Sequence, residues 1–514
     1  MPELAMIVRG RTLKASFHRR CDVVVVGTGA GGAMCARQLA KAGREVVALE
    51  MGGFHRPSEF TQREDEMLPM LFQERAARAT KDMSVTVLQG RGVGGSTVHN
   101  TNLCKRTPEP VLREWVRRFG VSGWSPEELA ADFAATERDL AVSVLGEAQL
   151  NAANRLMKDG TTALGWRGGY LSHNRVGCVG SGFCELGCAF NAKQNALKVL
   201  IPDGLAAGLD VYADCEATTV RVERGKAVGV RGHYVDGDGQ PLGEFEVSAD
   251  AVVLAGSAVG TAALLLRSGL PDPHHQAGRH LHLHPGAPVA GVYDERVAGW
   301  KGVPQSWEVM EFLDFEREDK RAWIVANFAH PIGTAVNLPG FGPEHARLMG
   351  EYPHLVVFTP MLHDRTEGRV TVTRRGRIQL GYTLSAADRE QMAIGLRESA
   401  RLHLAAGARR VVVPFVEPLE VTSERDLGRI RAEDLGPLEM PVLAVHPMSA
   451  ARMSGSPQQG VVRPDGRHHQ VAALYVADGG LFPTSIGVPP QISIYTAGRV
   501  VARHVDGALD RPGA

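Results

Sequence analysis

Two periods of apolar and polar residues run along the chain. Residues 22–26 are a β-branched run, which predicts a strand buried on both faces of a parallel sheet. Gly27-Thr28-Gly29-Ala30-Gly31-Gly32 follows, and residues 33–42 have helical spacing. A second apolar run over 45–49 ends at Glu50. Together these predict a βαβ unit with a dinucleotide fingerprint. Gly27 makes the tight turn, Gly29 lets a pyrophosphate approach the backbone, and Gly32 lets helix and strand pack closely. Glu50 lies 23 positions beyond Gly27, where an acid accepts from a ribose 2′-OH and repels a 2′-phosphate. A glycine-rich turn in an ordinary βαβ unit is the plainer alternative.

Beyond this unit, residues 56–83 are polar and helix-prone. The apolar stretch 68–72 reads as buried packing; a mobile lid or a peripheral contact with a membrane are the alternatives. A second dense glycine loop, residues 89–100, predicts another close approach of backbone to ligand. Alternation over 209–222 and 226–233 predicts hairpins. A buried strand over 249–255, closed by Gly256, and a helix over 262–267 return to the nucleotide-binding pattern. Strands are predicted over 352–358, 369–373 and 377–384, the last two joined at 374–376. Ser385 with Asp388 then caps a helix to about 406, ended by Gly407. Strands followed by a covering helix predict an antiparallel sheet with a helix on one face, a second domain type. A strand over 474–477 ending in Asp478, and a helix over 491–504, close the pattern. Internal repeats and low-complexity segments are not evident.

Composition narrows the class. With 514 residues, 44% apolar and 22% charged, the chain is globular and long enough for two or three domains. Lys+Arg and Asp+Glu both number 57, so net charge gives no reason to expect nucleic acid or an anionic membrane as partner. Seven cysteines spread through the chain argue against a disulfide framework and for a reducing, cytoplasmic setting. Arg19-Arg20 before the first strand could mimic a twin-arginine signal, but Asp22 heads that apolar run and the glycine loop follows. No stretch reaches the ~18 uncharged apolar residues of a membrane span. His280, His282 and His284 alternate and would share one side of a strand, where zinc binding competes with a structural role. Cys178, Cys184 and Cys188, with His173, lack the spacing of a zinc ribbon or iron–sulfur set and read first as small buried thiols, so no metal is expected.

Several segments carry a resemblance: CDVVVVGTGAGGAMCA with LEMGG, GRGVGGSTVHNTN, AGSAVGTAALLLRSG, HPMSAARMSG and LYVADGGLFPTSIGVPPQISIYTAGR. In this order they resemble the glucose–methanol–choline (GMC) flavin oxidoreductases. GRHLHLHP, CVGSGFCELGCAFNAKQ and DRTEGRVTVTRRGRIQLGY are similar to the long-chain alcohol oxidases and dehydrogenases within that family. The resemblance implies FAD rather than NAD and an α/β fold: a Rossmann-type FAD-binding domain built from separated segments, plus an α+β substrate domain with a helix-covered antiparallel sheet. The implied division is 1–110, 191–290 and 441–514 for the FAD-binding domain, 111–190 for a cap beside the substrate region, and 291–440 for the substrate domain. Gly27, Gly29, Gly32 and Glu50 would hold the ADP half, Val220 would contact adenine through its backbone, and Gly90, Gly94 and Asn100 would run beside the flavin. Asp478 would lie near the ribityl and pyrophosphate portion.

The same resemblance makes His446 the catalytic base. Alcohol oxidation in this family removes a hydroxyl proton and a hydride from one carbon, the hydride passing to flavin N5. An ordinary imidazole pKa near 6.5 suits a base at neutral pH. A helix starting at Pro490–Gln491 would turn the N–H groups of Gln491 and Ile492 toward the anion that develops on the flavin, worth about 1–2 kcal/mol. One position departs from the family. A second polar residue, His or Asn, usually precedes Pro-Gln; here it is Pro489. His99, in the loop where some relatives attach their flavin, and His330 are candidate substitutes. Ser449, Ala450 and Gly260-Thr261 also depart from family preference. The expected substrate is a hydrophobic alcohol, with oxygen or another acceptor regenerating the flavin. Dehydrogenation of a C–C or C–N bond, or a non-catalytic flavoprotein, are the competing readings.

Overall fold

A computed structural model of the protein describes residues 7–328 and 330–510. The β-branched run belongs to a longer strand, Phe17–Val26, at the centre of an eight-stranded sheet. On one side lie, in order, Val46–Leu49, Asp210–Ala213 and Ile7–Arg9, all parallel. On the other side lies Pro241–Leu254, also parallel. This long strand changes partner along its length: its first half pairs antiparallel with Lys226–Val235, and Val252–Leu254 pairs parallel with Leu474–Val476. The helix Ala30–Lys41 fills the crossover between the first two central strands and packs against the C-terminal helix Gln491–Leu509. Gly498 permits that contact, since a Cβ there would stand 2.3 Å from the Gly31 carbonyl; a Cβ on Gly31 would stand 1.7 Å from the Ala477 carbonyl, at the end of the 474–476 strand. Expectation and structure differ at 209–222, where hairpins are predicted. Asp210–Ala213 is instead a parallel strand of the nucleotide sheet, and only Cys215–Glu223 with Lys226–Val235 forms a hairpin.

The second sheet has seven antiparallel strands, in the order Leu419–Val421, Arg410–Val413, Val289–Val292, Leu355–Leu362, Ala322–Asn327, Trp307–Val309, Gly168–Tyr170. The helix Ala386–Ala405 covers it, and Ala152–Ala163 packs alongside. Ser385 Oγ accepts from the Asp388 N–H at 3.2 Å, and Gly407 closes the helix at φ +88°. Met157, Ile324, Phe358, Met392 and Leu396 form the core between helices and sheet. The predicted strands near 369 and 377 do not join this sheet. Gly368–Val372 and Ile378–Gly381 form a separate three-stranded sheet with Arg279–Leu281, which packs on the nucleotide-side helix Ser257–Arg267. Residues 56–83 contain one α-helix, Glu64–Leu71; Leu71 and Phe72 are buried with Phe60, Met67, Val98 and Leu186. Among the described residues, no helix is long and apolar enough to cross a membrane.

Candidate active site

The two glycine loops meet over the C-terminal ends of the central strands. Gly27 adopts φ +104°, and a Cβ there would lie 2.3 Å from the Ala255 carbonyl. A Cβ on Gly32 would lie 2.0 Å from the Gly27 carbonyl, so this glycine sets helix–strand packing. Gly29 differs: nothing lies within 4 Å of its missing Cβ, and it faces a cavity of about 1360 Å³. That space is larger than the ~300–1,000 Å³ of an ordinary ligand pocket and has room for a dinucleotide with a substrate beside it. Glu50 ties the loops together. Its Oε2 accepts from Thr28 N and Thr28 Oγ1, and its Oε1 from Gly52 N and Gly92 N, at 2.8–3.2 Å. Burial raises its pKa, and these donors oppose the rise. Gly94, at φ +97°, donates its N–H to Thr28 Oγ1, and Gly90 donates to Ser96 Oγ at 2.8 Å.

Gly90, Glu50, Asn100, Asp478 and Gln491 all line the cavity. Asn100 Nδ2 donates to Gln491 Oε1 at 2.9 Å, which links the second glycine loop to the first residue of the C-terminal helix. Asp478 accepts from Thr261 Oγ1 and from Gly480 N, and burial pushes its carboxyl up to about 6. Thus Thr261, a departure from family preference, has a partner, and Gly260 beside it leaves open space. Val220 is a correction. Its N–H is turned to Ser268 Oγ at 2.9 Å and it does not border the cavity; Cys215, Glu216 and Ala217, earlier on the same strand, do.

His446 stands at the wall of the cavity that Pro489 and Pro490 also line. Its Nδ1 lies 2.9 Å from Nδ1 of the buried His284, with the rings stacked at 5.0 Å. His446 Nε2 has no partner among the described residues and reaches open space. Burial, and then the neighbouring His284, hold the His446 pKa well below its ordinary value. Burial also lowers His284 to about 4. His284 is held through its backbone: Leu283 N and His284 N donate to Asp364, which also accepts from Tyr382 Oη. The three alternating histidines do not share a side. His280 and His284 have φ of +63° and +49°, which breaks the strand period, so each finds its own partner. His280 pairs with Glu367 and Gln276, His282 lies 3.5 Å from Asp364, and only His284 reaches His446. Neither proposed substitute for position 489 contacts His446. His99 packs its ring on Phe72, and His330 bonds the Gly182 carbonyl at 3.0 Å.

A hydrogen-bonded chain crosses the cavity from the end of the second glycine loop to the substrate sheet. Thr101 Oγ1 donates to Gln305 Oε1, Gln305 Nε2 to Asn327 Oδ1 at 2.8 Å, and Asn327 Nδ2 to Thr359 Oγ1 at 2.8 Å. All four residues line the cavity. Thr359 accepts at the end of this chain, so its own O–H is left for another acceptor. Bonded neighbours in this chain lie 22 to 204 positions apart, so no local pattern could have found them. For His284 the signal was the histidine alternation, read without knowing which ring reached the site. Cys178 is exposed rather than buried, with Sγ accepting from Arg175 and from Gly180 N. His173 is turned to Arg175 and the Gln305 carbonyl.

The open space at Gly29, the paired loops and the buried acid at 478 fit the dinucleotide half of FAD, and the polar wall at Asn100 and Gln491 fits its ring. Comparison with known proteins agrees. Residues 22–286 and 364–498 match the N- and C-terminal parts of the family described as GMC oxidoreductase. An uncharacterized GMC-type oxidoreductase of Mycobacterium tuberculosis is 34% identical over 94% of this chain and 75% of its own length. A long-chain-alcohol oxidase of Arabidopsis thaliana is 26% identical over 95% of this chain and 68% of its own length. Among solved structures, pyridoxine 4-oxidase from Mesorbium loti superposes with a TM-score of 0.72 at 16% identity, covering 94% of this chain and 98% of that one. Formate oxidase from Aspergillus oryzae gives 0.71 at 16% identity, covering 96% and 99%. The chain therefore belongs to the GMC oxidoreductase family and is an FAD-dependent oxidoreductase.

Proposed function

We propose that the protein oxidises the CH–OH group of a hydrophobic alcohol, with His446 as the base. The observation that carries this reading is His446 itself: one ring nitrogen is engaged by His284 and the other opens into the cavity where the two FAD loops converge. A base needs its lone pair on Nε2, so the proton shared between the two Nδ1 atoms belongs to His446 and is donated to His284. His284 then fixes the tautomer and ring plane and acts as a positioning residue. The lowered pKa keeps His446 neutral at physiological pH, ready to take the hydroxyl proton. FAD, when bound, accepts the electron pair that leaves the carbinol carbon. Thr359 Oγ–H, the free end of the polar chain, would donate to the substrate oxygen as negative charge grows there and so supply what Pro489 cannot. Pro288, Ala290, Leu355, Val357, Met361 and Val412 give the substrate-sheet side of the cavity an apolar lining suited to a hydrocarbon chain.

The test is anaerobic mixing of the yellow holoenzyme with 1-alkanols of increasing length, followed by oxygen. Bleaching of the flavin, an aldehyde product and recovery of colour on aeration or with another acceptor are the expected results. Failure of every alcohol to bleach the flavin, or a product without a new carbonyl, overturns the reading.

A further inference from the structure

The cavity contains a second polar point that the alcohol chemistry above does not use. Glu185 and His330 both line it, with Glu185 Oε2 3.8 Å from His330 Nδ1, too far for a hydrogen bond. His330 Nε2 is 3.0 Å from the Gly182 carbonyl. A carbonyl only accepts, so that nitrogen carries the proton, and in the Nε2–H tautomer Nδ1 presents a lone pair. The Glu185 carboxylate makes no hydrogen bond within the described residues. Two acceptors therefore face the same space with no donor between them. The ring of Phe183 stacks on His330 at 5.0 Å, Phe328 lies at 5.7 Å, and Leu186 and Ile332 line the same cavity; burial raises the Glu185 pKa, and the cation of the buried Lys193 opposes the rise. Glu64, the other carboxylate on this wall, is already used: it accepts from Ile332 N and Gly333 N at 2.6 and 2.8 Å. The Glu185 side chain is 37% exposed toward this space, so a ligand that brings a donor takes the place of solvent at these acceptors.

We propose that Glu185 and His330 form a subsite for a second hydrogen-donating group, hydroxyl or ammonium, on the alcohol that this cavity oxidises. The inference rests on the alcohol reading and narrows it: the preferred substrate is an alcohol with a second polar group rather than a plain 1-alkanol. An ammonium has N–H donors for both acceptors and a hydroxyl donates its one proton to either; hydrogen bonds that involve a charged group are worth roughly ten- to hundredfold in affinity.

The experiment compares 1-alkanols, α,ω-diols and ω-amino-1-alkanols of four to twelve carbons on the holoenzyme, read as the ratio of kcat/KM at matched length. At one length the diol or the amino alcohol should exceed the 1-alkanol by about tenfold or more, mainly through KM. Glu185→Leu should bring that ratio to about one. Because the reading is a ratio, a general loss of activity in the variant does not imitate the effect. If Glu185→Leu does not fold, Glu185→Gln keeps the shape and still removes the charge. Loss of an amino-alcohol preference in E185Q identifies an ammonium ligand, and a diol preference surviving there but lost in His330→Phe identifies a hydroxyl. The proposal is overturned if no length shows a preference, or if the preference survives both Glu185→Leu and His330→Phe. If 1-alkanols bleach the flavin but neither bifunctional series is preferred, only the subsite fails; if nothing bleaches it, the alcohol reading fails and takes the subsite with it.

Discussion

At the scale of single residues, the pair of imidazoles sets the expectations. His446→Ala should lower kcat/KM for the best alcohol by roughly 10²–10⁴, with flavin still bound; stopped-flow anaerobic reduction measures it, and unchanged flavin reduction would remove His446 as base. The pH profile has a definite sign. A base works unprotonated, and burial and His284 depress the His446 pKa. Activity should therefore hold as pH falls through 6.5 and be lost only at more acidic values, so an inflection in kcat/KM at or above 6.5 that disappears in His446→Ala would contradict this environment. Thr359→Val should slow the chemical step by about ten- to a hundredfold, whereas Thr359→Ser, which keeps the O–H, should restore most of it. His446, the base proposed here, was singled out by the motif around it. His284 and Thr359 were not, because a partner's identity depends on backbone turns at positive φ and on strands far apart in the chain.

At the scale of elements, the glycines of the first loop separate binding from folding. Gly29→Ala places its methyl in open cavity. The fold should persist while the apoprotein's affinity for FAD drops, as a flavin-fluorescence titration would show. Gly32→Ala drives its Cβ to 2.0 Å from the Gly27 carbonyl, in the middle of the first βαβ turn. That variant should fail to yield folded protein, and a well-folded, yellow Gly32→Ala would show that the loop packs differently. The fingerprint spacing made this unit readable, since each glycine answers a local backbone demand. The cap at Ser385 was readable for the same reason. The small sheet containing Gly368–Val372 was not: its strands have the alternation of any half-buried hairpin, and only contact with the Ser257–Arg267 helix decides which sheet they join.

At the scale of the whole molecule, many histidines are buried as neutral rings. Burial lowers His99, His363 and His403 to about 3, and His284 and His468 to about 4. In the unfolded chain each takes up a proton near 6.5. The unfolded state therefore binds more protons below that pH, so stability is full above 6.5 and falls as pH drops from 6.5 toward 3–4. Asp478, raised to about 6, and the raised carboxyls of Glu50 and Glu185 work in the opposite direction, but the lowered histidines outnumber them. Urea unfolding at pH 7, 6 and 5 should show a midpoint that falls with acidity; a flat midpoint would mean that these rings are hydrated in the folded state.

By itself the sequence determined the first βαβ unit, the capped helix over the second sheet and the flavin family, and it singled out the histidine proposed as base. Each is written in adjacent residues, where spacing and side-chain type act directly on a local backbone. The tertiary structure alone decided which end of the Cys215–Glu223 strand borders the cavity, that His284 meets His446, and that Thr101, Gln305, Asn327 and Thr359 form one polar chain. Those contacts join residues up to 204 positions apart. Their free energy comes from satisfying polar groups inside a dry cavity, a condition that exists only after the two sheets have closed around it.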